Sequence, residues 1–362
     1  MLANRAHTDF RALSEEKVRM VEKEKSTAEL NKKTDSSGKQ AARTIRFLRN
    51  RIYYQFKGFI PRKVQIILRR IMVQRKRRLC ANVWPIDEGA SRQPEGWSGW
   101  PGQKQFALVL LHDVDTEVGH GRCRQLMELD REMGFRSLFS FVPEGYQVSP
   151  ELRQDLLSSG FEVGVHGLKH DGKLFLSRES FLRQATAINR YIKEWNSVGF
   201  VSPSMHRNLD WMHDINIEYD ASTFDTDPFE PQPDGVRTIF PFMVPGNNGH
   251  PGYVELPYTL PQDFTLFILM QEQNTDIWRQ KLDWIVKKGG MALVITHPDY
   301  MSFGDGKQKM REYSAELYRE FLDYVQTTYK DQHWNPLPKE LAQFWKDRFW
   351  KMKNEKLPNQ IK

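Results

Sequence analysis

The chain has 362 residues, 39% of them hydrophobic, with 22 Phe and 10 Trp, which is enough apolar material for a sizeable core and too much for a disordered chain. Its two cysteines, Cys80 and Cys123, exclude a disulfide framework and a cysteine-ligated metal site. The net charge of +7 is held unevenly: residues 1–80 carry 22 Lys or Arg against 7 Asp or Glu, a balance of +15, which leaves −8 for residues 81–362.

The first thirty residues are charged and lack an apolar core region, and no later segment has the unbroken apolar length of a membrane span. Both point to a cytoplasmic protein. Residues 1–80 read as a basic, partly helical extension, with a polar tail over 1–40. From Arg43 to Arg78 there are thirteen Lys or Arg and no acidic residue. Beyond Pro61, Val64, Ile67, Leu68 and Ile71 recur at the spacing of an amphipathic helix. Such a segment can dock its stripe on the main domain, or make peripheral contact with an anionic membrane, here its inner face, through residues 43–78. Nucleic acid is disfavoured, because no recognisable nucleic-acid module accompanies the patch. Residues 81–105 are a Trp/Pro/Gly-rich linker, and its three Trp predict packing along the domain edge.

The domain proper spans 106–335. Phe106–Leu111 is almost continuously apolar, as in a strand buried on both faces of a parallel α/β sheet, and it runs into Asp113 and Asp115. Helix is predicted over Gly119–Met133, strand over Ser137–Val142, helix over Pro150–Ser159 and strand over Phe161–Val165, leading to His166-Gly-Leu-Lys-His170. A long helix follows over Ser177–Trp195, then a strand at Val198–Val201, a short helix at His206–Asn216 and a strand at Tyr219–Thr223. The Pro-rich stretch from Asp225 to Pro257 reads as loops and edge strands. Asp276–Lys288 is helical, Met291–Thr296 is a last buried strand ending in His297-Pro298, and Met310–Thr328 is a further helix. Residues 336–362 form an amphipathic tail. Repeated βα units of this length predict a parallel barrel.

In such a barrel the strand ends build the site. Two His and a carboxylate with an open position suit Zn²⁺ in a hydrolase, or Fe(II) in an oxygenase. Here His166 and His170 would supply the imidazoles, and Asp113 or Asp115 the carboxylate. For isolated residues of these types, turn capping or surface exposure is the ordinary explanation; their gathering at strand ends, with His297 at another, favours a site.

Together these residues resemble the metal-dependent polysaccharide deacetylases, the NodB-homology or family 4 carbohydrate esterases. His112-Asp113-Val114-Asp115 is similar to the first motif of that family, His166-x-x-x-His170 to the second and His297-Pro298 to the last, over roughly Phe106 to Asp299. The resemblance implies a distorted seven-stranded (β/α) barrel and a divalent metal, Zn²⁺ by preference, held by Asp115, His166 and His170. It implies Asp113 as general base and His297 as general acid, with an Asp to orient that His, for which Asp225 is preferred over Asp227. Removal of an N-acetyl or O-acetyl group from a sugar or glycan precursor is the activity implied. One departure stands out: the family's third motif is commonly Arg-x-Pro, whereas Val201-Ser202-Pro203 puts Val at the Arg position, leaving His206 or Arg207 as the nearest cation. Ser202, Pro203 and Arg207 are the expected substrate contacts. Val201 also motivates an alternative, a catalytically weak or inactive deacetylase-fold protein that binds carbohydrate.

Overall fold

Nine consecutive residues, Phe106–Val114, are buried without exception and form strand β1. The computed structural model describes residues 62–246, 249–304, 306 and 308–355, the side chains of Arg62 and 349–355 excepted. The polar tail expected over 1–40, and the part of the basic stretch before Arg62, lie outside the described residues.

Parallel strands extend from β1 on both sides. On one side follow β2 (Ser137–Phe141), β3 (Glu162–His166), β4 (Gly199–Val201), β5 (Tyr219–Asp220) and β7 (Tyr253–Glu255); the antiparallel β6 (Phe242–Val244) forms the edge. On the other side of β1 lies β8 (Met291–Thr296), paired over Ala107 to His112. The sheet curls until the two sides meet. Phe224 bridges Tyr258 and Leu260 bridges Val294, both in parallel sense, so the chain after β7 joins β5 to β8. Side chains complete this seam: Thr259 Oγ1 donates to Met291 O and accepts from Leu293 N, and Asp263 Oδ2 accepts from His297 N. The result is the expected distorted α/β barrel. Two short pairs, β9 (Met301–Ser302) with β10 (Tyr313–Ser314) and β11 (His333–Trp334) with the start of β1, are additions to it.

Helices cover the strands. A basic helix α1 (Arg62–Leu79) precedes the barrel, and α2 (Cys123–Glu132), α3 (Pro150–Ser158) and α4 (Arg178–Glu194) follow β1, β2 and β3. Ser149 and Ser177 cap α3 and α4 through bonds from Leu152 N and Ser180 N, satisfying amides that a helix start leaves free. A π-helix, Phe264–Met270, precedes α5 (Asp276–Lys288), and α6 (Ala315–Thr328) and α7 (Pro338–Glu355) are the last helices among the described residues. The linker Trp84 and Trp100 are buried, Trp100 among Trp97, Trp334, Phe344 and Trp345.

Several elements differ from expectation for local reasons. The helix expected from Gly119 is split into a turn at Glu117–His120 and α2, and Gly119 admits the Asp299 carboxylate where any Cβ would collide with it. Only Trp211–Asp214 of the expected helix 206–216 is helical, with the Asn208 side chain accepting from Trp211 N in place of a continued helix. The helix expected from Met310 starts at Ala315, because Tyr313 and Ser314 pair with β9. The apolar stripe expected on α1 faces outward: Ile66 and Val73 are buried, whereas Val64, Ile67, Leu68 and Ile71 are exposed.

Candidate active site

The site is built at strand ends, where a rigid ladder hands the chain to a turn. β1 delivers Asp113 and Asp115, β3 delivers His166 and, one turn later, His170, and β8 delivers His297. Gly167 makes the turn between the two His possible: its φ is +66°, and a Cβ there would stand 2.6 Å from Pro203 Cγ.

Asp115, His166 and His170 present one ligand atom each, all within 4.8 Å of one another. Asp115 Oδ1 lies 3.4 Å from His166 Nε2 and 3.3 Å from His170 Nε2. That oxygen is buried and accepts no hydrogen bond, and His166 Nδ1 is already bound to Val201 O at 3.1 Å, which leaves Nε2 turned to the centre. An orphaned carboxylate oxygen facing two imidazole nitrogens is a donor set that fits a divalent cation of the Zn²⁺ kind. Burial alone would raise the Asp115 carboxyl, but His170, His166 and His297 hold it well below the usual carboxylate range. For His166, burial works against the charge, and Asp113 and Asp115 raise its pKa regardless.

Asp113 is buried and accepts a hydrogen bond from Ser140 Oγ, with His166 Nδ1 at 3.6 Å. Among the described residues no arginine or lysine bonds to it. The position where an Arg was expected holds the fully buried Val201, whose carbonyl serves His166.

His297 is clamped by Asp263, a residue the sequence reading missed. Nδ1 of His297 lies 2.7 Å from Asp263 Oδ1, and its backbone N–H donates to Oδ2 at 2.8 Å. Asp263 also accepts from Tyr313 Oη and from Phe264 N, so every lone pair of this buried carboxylate is directed. Burial disfavours the imidazolium, yet Asp263, Asp115 and Asp113 together push the His297 pKa up to about 10. Tyr300 flanks the pair, its ring 5.2 Å from that of His297 and its hydroxyl 3.4 Å from Asp115 Oδ2. Asp299, also unforeseen, accepts from Asp115 N and Thr116 Oγ1 and fixes the turn after β1.

One expectation needs correction. Asp225 does not orient His297: it is bound to Lys281 at 2.8 Å, both side chains buried, and Asp227 likewise is engaged by Tyr258 and Phe229 N. Arg207, expected as a substrate contact, straps the Pro-rich loop by donating to Met205 O, Gln232 O and Asp234 O with its guanidinium over Phe224. Pro203 does sit beside the site, against Gly167, whereas Ser202 is fully buried with its N–H on Ser222 Oγ. A signal for Asp263 was present in the sequence: it closes Tyr258-Thr-Leu-Pro-Gln-Asp263, between the Pro-rich stretch and the last buried strand.

No family model matches the sequence, and no curated protein is significantly similar to it. Solved structures are similar in fold. A protein from Mycobacterium smegmatis assigned as a polysaccharide deacetylase aligns with a TM-score of 0.54 at 17% identity, over 71% of this chain and 95% of its own. A likewise assigned protein of Pseudomonas aeruginosa PAO1 gives 0.53 at 16%, over 72% and 98%. The fold is that of the polysaccharide deacetylases. A Puue allantoinase shares it, at 0.54 and 15% identity over 72% of this chain and 97% of its own, so the deacetylase fold by itself does not choose the bond that is cleaved. In the deacetylase fold described here, no helix among the described residues is long and apolar enough to cross a membrane.

Proposed function

We propose that this chain is a metal-dependent hydrolase that removes an acetyl group from an N-acetyl (or O-acetyl) sugar or glycan precursor. The observation that carries this reading is the convergence of two sets from different strand ends: Asp115, His166 and His170 around one point with Asp113 3.6 Å from His166, and His297 locked by Asp263. Asp115, His166 and His170 would hold the cation; when bound, a Zn²⁺-like ion supplies a water whose pKa falls from about 15.7 toward about 7 and a Lewis acid for the carbonyl. Asp113, positioned by Ser140, takes the proton of the attacking water. His297, whose Nδ1 is committed to Asp263, donates from Nε2 to the leaving nitrogen, and the products are acetate and an amine. Tyr300, with its ring against His297 and its hydroxyl at Asp115, covers one wall of the centre.

Val201 supports a second reading, in which Asp113 lacks the cation that tunes it and the site binds acetylated sugar without turnover. Metal analysis of the purified chain, followed by acetate release from a panel of acetylated sugars with allantoin as a further arm, tests both. Acetate release is the expected result. Bound metal and bound sugar without product would favour the second reading, and turnover of allantoin alone would replace the first.

A further inference from the structure

Helix α1 is built inside out. Turned toward the barrel are Ile66, Arg69, Arg70, Val73, Lys76 and Arg77, most of them cations. Arg70 donates to Ile268 O and Met310 O, Gln74 to Met270 O and Lys76 to Pro228 O, and Arg77 pairs with Glu272. The reason is physical: the end of the π-helix Phe264–Met270 offers carbonyl oxygens without helical partners, which attract cations. The opposite face then carries the apolar stripe into solvent, with Val64, Ile67, Leu68, Ile71, Met72 and Leu79 between 43% and 82% exposed. Lys63, Arg75 and Arg78 are exposed at the two ends of that stripe, and no acidic residue occurs from 36 to 86.

We propose that this face of α1 lies on an anionic phospholipid surface. A row of Val, Ile, Leu and Met along one side of a helix, bordered by cations and no anions, is complementary to an acyl boundary beneath negative headgroups. The helix is also near the chemistry. The Arg69 guanidinium stands 4.8 Å from the Phe264 ring, that ring 4.9 Å from Tyr300, and Tyr300 reaches both His297 and Asp115. A membrane under the outer face of α1 would then be separated from the site by the helix itself and the Phe264 and Tyr300 rings. On the deacetylase reading, on which this step rests, the substrate is a lipid-linked acetylated saccharide at that surface.

The test uses the full chain and its triple variant Ile67→Glu/Leu68→Glu/Ile71→Glu, all three positions being outside the core and the site. Flotation is measured with phosphatidylcholine vesicles and with vesicles that also contain phosphatidylglycerol. The wild type should float with the anionic vesicles and be released by salt, and the triple variant should bind more than about tenfold more weakly at unchanged melting temperature. Replacing Arg75 or Arg78 by Gln should weaken binding about fivefold each at low salt. No vesicle binding by the wild type, or equal binding by the triple variant, would overturn the proposal. So would sedimentation showing a dimer that the triple variant dissolves, since the face would then belong to a second copy. Metal content and acetate release from a water-soluble acetylated sugar report on the site without vesicles, so a failure there counts against the deacetylase reading and not against the lipid surface.

Discussion

Two buried carboxylates, Asp263 and Asp225, differ in what they hold, and substitution should separate them. Asp263→Asn keeps a similar shape but loses the charge that stabilises the His297 imidazolium, so turnover should drop by about 10²–10⁴-fold while metal stays bound. Asp225→Asn leaves Lys281 buried and charged; it should cost about 3–5 kcal/mol of stability with little change in turnover per folded molecule. Thermal melts beside steady-state kinetics distinguish the outcomes, and equal kinetic damage from both would contradict the assignment. Within β1 the same logic applies one residue apart. Asp113→Asn should retain metal and lose turnover, whereas Asp115→Asn and His170→Ala should lose metal itself, read by elemental analysis. Reversed behaviour of the two Asp variants would exchange their roles.

At the scale of elements, the turn between His166 and His170 is held by backbone shape. Gly167→Ala would meet Pro203 and a positive φ, so metal affinity should fall while far-ultraviolet circular dichroism stays native; undiminished affinity would show the turn to be tolerant. The elements that the sequence revealed are those with long, unmixed patterns: β1 and β8 are buried along their whole length, and α3, α4 and α5 have apolar periodicity with clear starts. β7 has three residues, too few for any period to show, and its neighbourhood is Pro-rich. That is why Asp225, the first Asp after a recognisable strand, drew the role that Asp263 occupies. The outward turn of α1 was hidden for another reason: the stripe was visible in sequence, but the carbonyls of the π-helix that draw its cations inward are set by tertiary structure.

At the scale of the whole molecule, several acids are buried in the fold. Burial raises Glu162 and Asp220 to about 7, Asp225 to about 6 against the pull of Lys281, and Glu230 to about 8 with Asp227 adding to it. In each case the folded state binds a proton that the unfolded chain has released, so stability falls as pH rises from the ordinary carboxylate range through these values. The melting temperature should therefore decline between about pH 5 and 8, and Glu230→Gln, which preserves an acceptor for Tyr258, should flatten the upper part of the decline. A rising melting temperature over that interval would mean these acids are charged in the fold.

On the proposed function, local opening of the barrel seam would interrupt proton delivery. Between Tyr258 and His297 the ring is closed by single backbone bridges and by the side chains of Thr259 and Asp263, in contrast to the six-residue register of β1 with β8. Amide hydrogen exchange should accordingly be faster at Thr259 and Leu260 than along β1, marking the edge of the first cooperative unit to open. Because Asp263 belongs to that edge, each opening would also release the imidazole of His297, and the fraction of molecules competent for proton delivery would follow the closure of the ring.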